Sequence, residues 1–561
     1  MRSRPAPATT PSWFVRHGAL IAVLVVIGVA AFVRLRLAHA PLERDEGEYA
    51  YAGQLILQGV PPYELAYNMK FPGTYYAYAA ILAVFGETPW AIRFGLLLVN
   101  AASTLLLFRL GIRVLGTASA AAVAAGTFAM LSLDRWVVGT FSHATHFVML
   151  PTLGGLLVLL GAIRSGRAAA FLTAGVLLGV AVLMKQHAAA FVLFAVVFVL
   201  RHGGPQTGPP YVPPPSVRPP SVRVRHAALV LGGALVPFAV TCVVLAAQGV
   251  LGKFWFWTFD YARAYVSQVP VSNALYNLAF AFGYITRGAW AIWILAGIGL
   301  AGLWVVRWPR EPRTFMVGLA AASFLALCPG FVFRPHYWVL ILPAVALLAG
   351  AAVVSLTRLL GTAVTPRAAQ AIGVAAAVSV GAHFVITERD WMFRIPVGEV
   401  SRALYDMNPF PEAGEIGKYL EAHTTPRDRI AVLGSEPEIY FYSRRSSATG
   451  YIYMYALSED HPHAERMRQE FMREIEDARP AYIVYVPMLV SWMTSPTANS
   501  TAQRWAERYA RACYDLVGIA DVERARTTFV WDAEAPQYRP QGEFAVLTFR
   551  RKQDGPCTVP Q

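Results

Sequence analysis

Charge is scarce in this 561-residue chain: 15% of its residues are Asp, Glu, Lys or Arg, against roughly 25% in a soluble globular protein. A single soluble core is excluded. With 56% hydrophobic residues and apolar runs of about 20 residues recurring through the first two thirds, the chain reads as an integral membrane protein. Cysteine is scarcer still. Cys242, Cys328, Cys513 and Cys557 form no CxxC pair and join no His/Cys cluster, which argues against a cysteine-based zinc or iron–sulfur site. Carboxylates are few as well, with nine in residues 1–387. No convincing internal repeat is present, which weakens an inverted-repeat transporter.

What is present begins with basic residues. The net charge of +14 divides unevenly: residues 1–387 carry 27 Lys and Arg against nine acids, whereas residues 388–561 carry 21 against 25. The excess belongs to the apolar part, where it reflects insertion topology and anionic lipid rather than nucleic acid. Eleven spans are expected, at about 18–38, 91–112, 117–133, 142–163, 168–184, 188–201, 227–248, 289–306, 314–332, 337–357 and 368–387. With the N-terminus in the cytoplasm, 16 of the 27 basic residues fall inside, as the positive-inside rule asks. Ala38-His39-Ala40 resembles a signal-peptidase site, but Pro41 and the full spanning length before it predict a retained anchor. The Pro-rich stretch from Gly203 to Pro220 predicts a disordered cytoplasmic loop within residues 202–226.

This orientation places eight of the nine acids outside, and the densest group follows the first span: Glu43-Arg44-Asp45-Glu46-Gly47-Glu48-Tyr49. Four carboxylates in six residues at a membrane edge are costly unless they are solvated or used. A hydrated loop is one reading. The other is a general base that takes a proton from an attacking hydroxyl or amine.

Here the residues carry a family resemblance. Arg34-Leu35-Arg36, the segment Arg44-Asp45-Glu46-Gly47-Glu48-Tyr49-Ala50 and, some 20 residues on, Lys70-Phe71-Pro72-Gly73-Thr74-Tyr75-Tyr76 resemble the first external loop (residues 39–90) of GT-C membrane glycosyltransferases. Arg334-Pro335-His336-Tyr337 running into Leu340-Ile341-Leu342-Pro343 resembles the late loop of the same fold. The group is that of dolichyl-phosphate-mannose protein mannosyltransferases, which includes bacterial aminoarabinose transferases of lipid A. The resemblance implies an inverting transferase that moves a sugar from a polyprenyl-phosphate carrier to an envelope lipid, glycan or protein at the outer face of a bacterial inner membrane. It implies Asp45 as the catalytic acid with Glu46 its neighbour in the acidic pair, Lys70 as a mobile-loop lysine and Asp134 as a second acid. No cofactor and no metal are expected. One departure stands out: Ser142-His143-Ala144-Thr145-His146 lies where many relatives carry an acidic pair.

Read from the residues alone, Lys185-Gln186-His187 and Arg334-Pro335-His336-Tyr337 interrupt apolar sequence at span ends, where cations would meet a lipid phosphate. Arg93 and Arg135 read as snorkelling residues. The segment Lys253 to Arg287, with Asp260 and Arg263 among aromatic rings, predicts an interfacial helix that could flank a prenyl chain. With Lys70 and Asp134, which the resemblance implies, the donor contacts expected are Lys70, Asp134, Lys185, His187, Arg263, Arg334, His336 and Tyr337. His143 and His146 share a helical face but lack a third metal ligand nearby, so polar packing is expected.

From Glu388 the pattern changes to a small α/β domain (388–561), outside the membrane after an odd number of spans. A helix is expected at 416–420, strands at 429–434, 481–486 and 544–549, and a helix capped by Ser435. The domain contains no GxGxxG, P-loop or nucleophile elbow, so acceptor docking or a lid is expected. The alternative function is a transporter or flippase of lipid-linked sugars, whose charges would lie mid-span; here they gather at the outer edge.

Overall fold

The computed structural model describes residues 13–202, 220–493, 499–524, 526–553 and 557. The Pro-rich segment 203–219 lies outside the described residues. All eleven expected stretches are helical: α1 (Trp13–Arg36) precedes two helices of the first loop, α2 (Arg44–Leu57) and α3 (Gly73–Phe85), and then come α4 (Pro89–Leu115), α5 (Ala118–Leu131), α6 (Ala144–Ser165), α7 (Ala168–Met184), α8 (Ala189–His202) and α9 (Pro220–Ala247). After a broken segment follow α10 (Leu251–Trp255), α11 (Ala262–Val266), α12 (Ala274–Ile285), α13 (Trp290–Val305), α14 (Arg310–Leu327), α15 (Leu342–Leu360) and α16 (Pro366–Thr387).

Length divides them. Among the described residues six helices are long and apolar enough to cross a membrane, or seven if the pair 271–285 and 290–305, bent by 115°, counts as one span. Helices α5, α7 and α8 have 14, 17 and 14 residues, short of the roughly 20 that a perpendicular crossing needs. The stretch Pro335–Leu360 is 89% buried, whereas those of α1, α9 and α16 are 22%, 17% and 28% buried. The first is the hub of the bundle, and the other three present apolar faces that lipid must cover. Helices α7 and α9 meet at Gly175, Gly179 and Gly233, where an added Cβ would run into the facing backbone; small residues let apolar helices approach this closely.

The expected interfacial helix at 253–287 is broken instead. A π-helical turn (Phe256–Tyr261) separates α10 from α11, and a 3₁₀ turn (Val271–Asn273) opens α12. Five consecutive bulky residues, Phe254 to Thr258 with four aromatics and the β-branched Thr258, resist a regular α-helical turn.

The C-terminal part holds α17 (Phe410–His423), β1 (Arg429–Leu433), α18 (Glu438–Ser443), β2 (Ser446–Ser447), α19 (Ala464–Ala478), β3 (Tyr482–Tyr485), α20 (Thr501–Cys513), β4 (Tyr514–Val522), β5 (Thr527–Trp531) and β6 (Phe544–Arg551). The sheet order is β2-β1-β3-β6-β4-β5. Strand β1 runs parallel to β2 and β3 and the remaining pairs are antiparallel. Strands β1 and β3 are buried throughout apart from Arg429 and read as apolar runs. Strands β4 and β5 escaped the sequence reading because polar residues and a bulge between Leu516 and Gly518 blur their alternation. Ser435 does not cap α18. Pro437 precedes that helix, and the Ser435 hydroxyl donates to the Ser491 carbonyl. Cys513 and Cys557 pair as a disulfide, with Cα atoms 5.2 Å apart.

Candidate functional site

The first loop is built from the N-terminus of α2. Glu43 and Glu46 form a capping box: the Glu43 carboxylate accepts from the Glu46 N–H at 2.8 Å and Glu46 accepts from the Glu43 N–H. Successive residues on a helix diverge by about 100°, so Asp45 and Glu46 point to different places. Asp45 faces a cavity of about 300 Å³ that Lys70, His143, Lys185, Arg334, His336 and Tyr337 also line. Glu46 turns inward and is fully buried.

On Asp45, Oδ1 accepts from Lys70 Nζ at 2.9 Å and from the Tyr453 hydroxyl at 3.2 Å. Oδ2 stands 3.5 Å from His143 Nδ1 and 3.8 Å from His336 Nε2. Burial pushes this carboxyl up, but Lys70, His143 and His336 together outweigh burial and hold it well below the usual range. Lys70 also donates to Glu48 Oε2 at 2.5 Å, and the Tyr75 hydroxyl donates to Glu48 Oε1 at 2.6 Å. Glu43 is different: burial raises it to about 7, against the charge of His143.

Two cations that line the same cavity make no ion pair among the described residues: no carboxylate lies within ion-pair reach of Lys185 or Arg334. Lys185 sits 4.6 Å above the Tyr337 ring, and burial, then the charge of Lys70, lowers it to about 8. Arg334 donates to the Tyr265 hydroxyl at 3.3 Å. One cavity thus holds a proton acceptor and two groups able to bind an anion.

Several expected site residues lie elsewhere. Glu46 takes Arg93 Nε at 2.9 Å, Arg93 Nη2 at 2.5 Å and the Ser142 N–H at 2.6 Å, so it anchors the loop rather than facing the cavity. Arg93 does not snorkel; it is buried and donates also to the carbonyls of Leu37, Ala40 and Pro41. Asp134 caps a 3₁₀ turn by accepting from the Trp136 N–H; burial raises it to about 8, and it does not line the cavity. His187 packs edge-on to Tyr337, with Nδ1 2.7 Å from the Ala326 carbonyl. Arg263 is exposed and away from the cavity.

Sequence reasoning missed His143 and Tyr453. Donor atoms of Asp45, His143 and His336, from distant parts of the chain, all lie within 4.8 Å of one another. His146 points away, its Nδ1 3.2 Å from Asn100 Oδ1. Only the replacement of an expected acidic pair by Ser142-His143 hinted at this. Nothing near Asp45 in the sequence marks Tyr453, which joins it across 408 residues.

Residues 69–207 match the family described as dolichyl-phosphate-mannose-protein mannosyltransferase. No curated protein sequence matches the chain. Among solved structures, ArnT from Cupriavidus metallidurans bound to undecaprenyl phosphate is similar at TM-score 0.56 and 19% identity, over 92% of this chain and 98% of that one. The archaeal oligosaccharyltransferase AglB from Archaeoglobus fulgidus, in complex with an inhibitory peptide and a dolichol-phosphate, gives 0.51 and 12% over 97% and 77%. The arabinofuranosyltransferase AftD from Mycobacteria gives 0.51 and 14% over 96% and 40%. The chain therefore has the GT-C fold, and within residues 69–207 it matches the dolichyl-phosphate-mannose-protein mannosyltransferase family.

Proposed function

We propose that the chain is an inverting glycosyltransferase that moves a sugar from a polyprenyl-phosphate carrier to an envelope lipid, glycan or protein. One observation carries the reading: a carboxylate and two cations without a carboxylate partner among the described residues line a single cavity. The similar structures that hold undecaprenyl phosphate and a dolichol-phosphate support a donor of that class. The acceptor O–H (or N–H) attacks the anomeric carbon, its proton passes to Asp45 Oδ2, and the anomeric C–O bond breaks to release prenyl phosphate. Lys185 and Arg334 stabilise the departing phosphate. Lys70 holds Asp45 in line, and His336 and Tyr337 complete the donor wall. Asp134, His187 and Arg263 are left without substrate contact, and Glu46 becomes a positioning residue.

The same reading puts the N-terminus in the cytoplasm, the cavity and residues 388–561 on the outer side of a bacterial inner membrane, and residues 1–387 in the membrane as eleven spans, the shorter ones tilted or partly inserted. It is supported by the basic residues gathered on the opposite side.

Purified protein supplied with a polyprenyl-phosphate sugar and envelope extract tests the proposal. Free prenyl phosphate should appear in step with glycosylated acceptor, in detergent where no membrane separates two compartments. An intact donor after incubation overturns it and leaves a flippase.

Arg334→Ala should reduce kcat/KM for the donor by roughly 10- to 100-fold, because a charge-assisted hydrogen bond contributes about 1.5–3 kcal/mol. Arg334→Lys should recover part of the loss, since a point charge replaces a fork. Unchanged kinetics in Arg334→Ala would remove it from the phosphate site.

A pH dependence follows from Lys185. Below about 8 it carries a charge that attracts the phosphate, and above about 8 it is neutral. Donor kcat/KM, which reports the free enzyme, should fall as pH rises through about 8, and Lys185→Arg should abolish that fall. The same profile in both proteins would assign the titration to another group.

A further inference from the structure

Three nitrogen and oxygen donors converge on one face of the cavity, from three distant parts of the chain. Asp45 comes from the start of α2, His143 from the residue before α6, and His336 from the 3₁₀ segment before α15. The imidazoles of His143 and His336 stack with centroids 4.4 Å apart. His143 is 2% exposed; its Nδ1 meets only the Asp45 and Glu43 carboxylates, at 3.5 and 3.7 Å, and its Nε2 has no hydrogen-bond partner among the described residues. A buried imidazole left in this condition is expensive, and a metal ion is one group that satisfies it. Glu43, through Oε1, adds a second carboxylate to the cluster.

We propose that Asp45, His143 and His336 bind one divalent ion of the zinc class, and that the bound ion switches off Asp45 as a proton acceptor. Two imidazoles and a carboxylate with an open fourth position suit zinc and disfavour magnesium or calcium, which take oxygen ligands. The donor atoms, at most 4.8 Å apart, need to close to about 3.3 Å for tetrahedral coordination at about 2.0 Å, a movement within reach of side-chain rotation. The inhibitory consequence follows from the two oxygens of Asp45. Lys70 and Tyr453 already occupy Oδ1, so Oδ2 is the oxygen left for the acceptor's proton, and it is the oxygen that the histidines face. An ion there and a proton transfer there exclude one another. This second half rests on the proposed transferase reaction, and the first half does not.

Protein carrying no polyhistidine tag and stripped with chelator should bind one equivalent of ZnCl₂ by calorimetry, and MgCl₂ should not compete. His143→Ala and the milder His336→Gln, whose side chain is 13% exposed, should each weaken binding by more than the roughly 10- to 100-fold that losing an outer partner costs. His461→Ala, in a separate histidine pair, should bind as the parent does. Unaltered affinity in both ligand variants, with native melting, overturns the site. In turnover assays one equivalent of zinc should inhibit and chelator should restore the rate. Activation by zinc overturns the inhibitory role, and absence of turnover under every condition tells against the transferase reading while the binding result stands by itself.

Discussion

Asp45→Asn is expected to lower glycosyl transfer by about 10²- to 10⁴-fold, the usual worth of general-base catalysis, with protein yield and melting close to those of the parent. The amide keeps the size of the carboxylate and its Oδ1 acceptor for Tyr453, and Lys70 keeps Glu48 as a partner. What it loses is the ability to take a proton at Oδ2. The low basicity that Lys70 and the histidines impose is compatible with this role, because the leaving phosphate supplies much of the driving force and the carboxylate is fully ionised at neutral pH. Asp45→Glu is expected to be nearly as poor, since displacing the oxygen by about 1 Å can cost 10²-fold. Parent-level turnover in Asp45→Asn would sink the assignment of the base.

The second large effect concerns stability. Arg93→Ala should destabilise the protein by about 3–5 kcal/mol, the cost of breaking a buried ion pair from one side, seen as a marked fall in melting temperature in detergent. Arg93 ties together Leu37, Ala40 and Pro41 at the end of α1 and Glu46 on α2. Its removal strands a fully buried carboxylate. Arg93→Met with Glu46→Leu should regain part of the loss relative to Arg93→Met alone, because the unpaired charge goes with its partner. Equal melting of parent and Arg93→Ala would mean that Glu46 has other support.

The contrast between Asp45 and Glu46 explains how far the sequence can be read. Every expected span is a helix because mean hydropathy needs no knowledge of partners. Asp45 and Lys70 are expected from the family resemblance, and Lys185, Arg334, His336 and Tyr337 because polar groups beside apolar runs are costly unless used; the structure lines one cavity with all six. Which of two adjacent acids faces that cavity depends on helix phase, and Glu46 is turned toward Arg93, a residue expected to snorkel to headgroups. Asp134, expected as a second acid, caps a turn and does not line the cavity. His143 and Tyr453 were illegible for a different reason: their meaning arises only where segments separated by 98 and 408 residues meet Asp45.

One contact reaches beyond the chemistry. Gly47, two residues after Asp45, lies so close to Glu438 that an added Cβ would come within 2.6 Å of its backbone. Arg44 bonds to the Ser435 carbonyl, Asn408 and Glu436. The helix bearing the carboxylate is thus seated against a part of the chain that the ribosome delivers nearly 400 residues later. During synthesis the first loop emerges with its acids unpartnered and its cavity lacking a wall. On the proposed reaction, a chain that ends before residue 388 should therefore insert without any transfer activity, because the wall that seats Arg44 and Gly47 is missing.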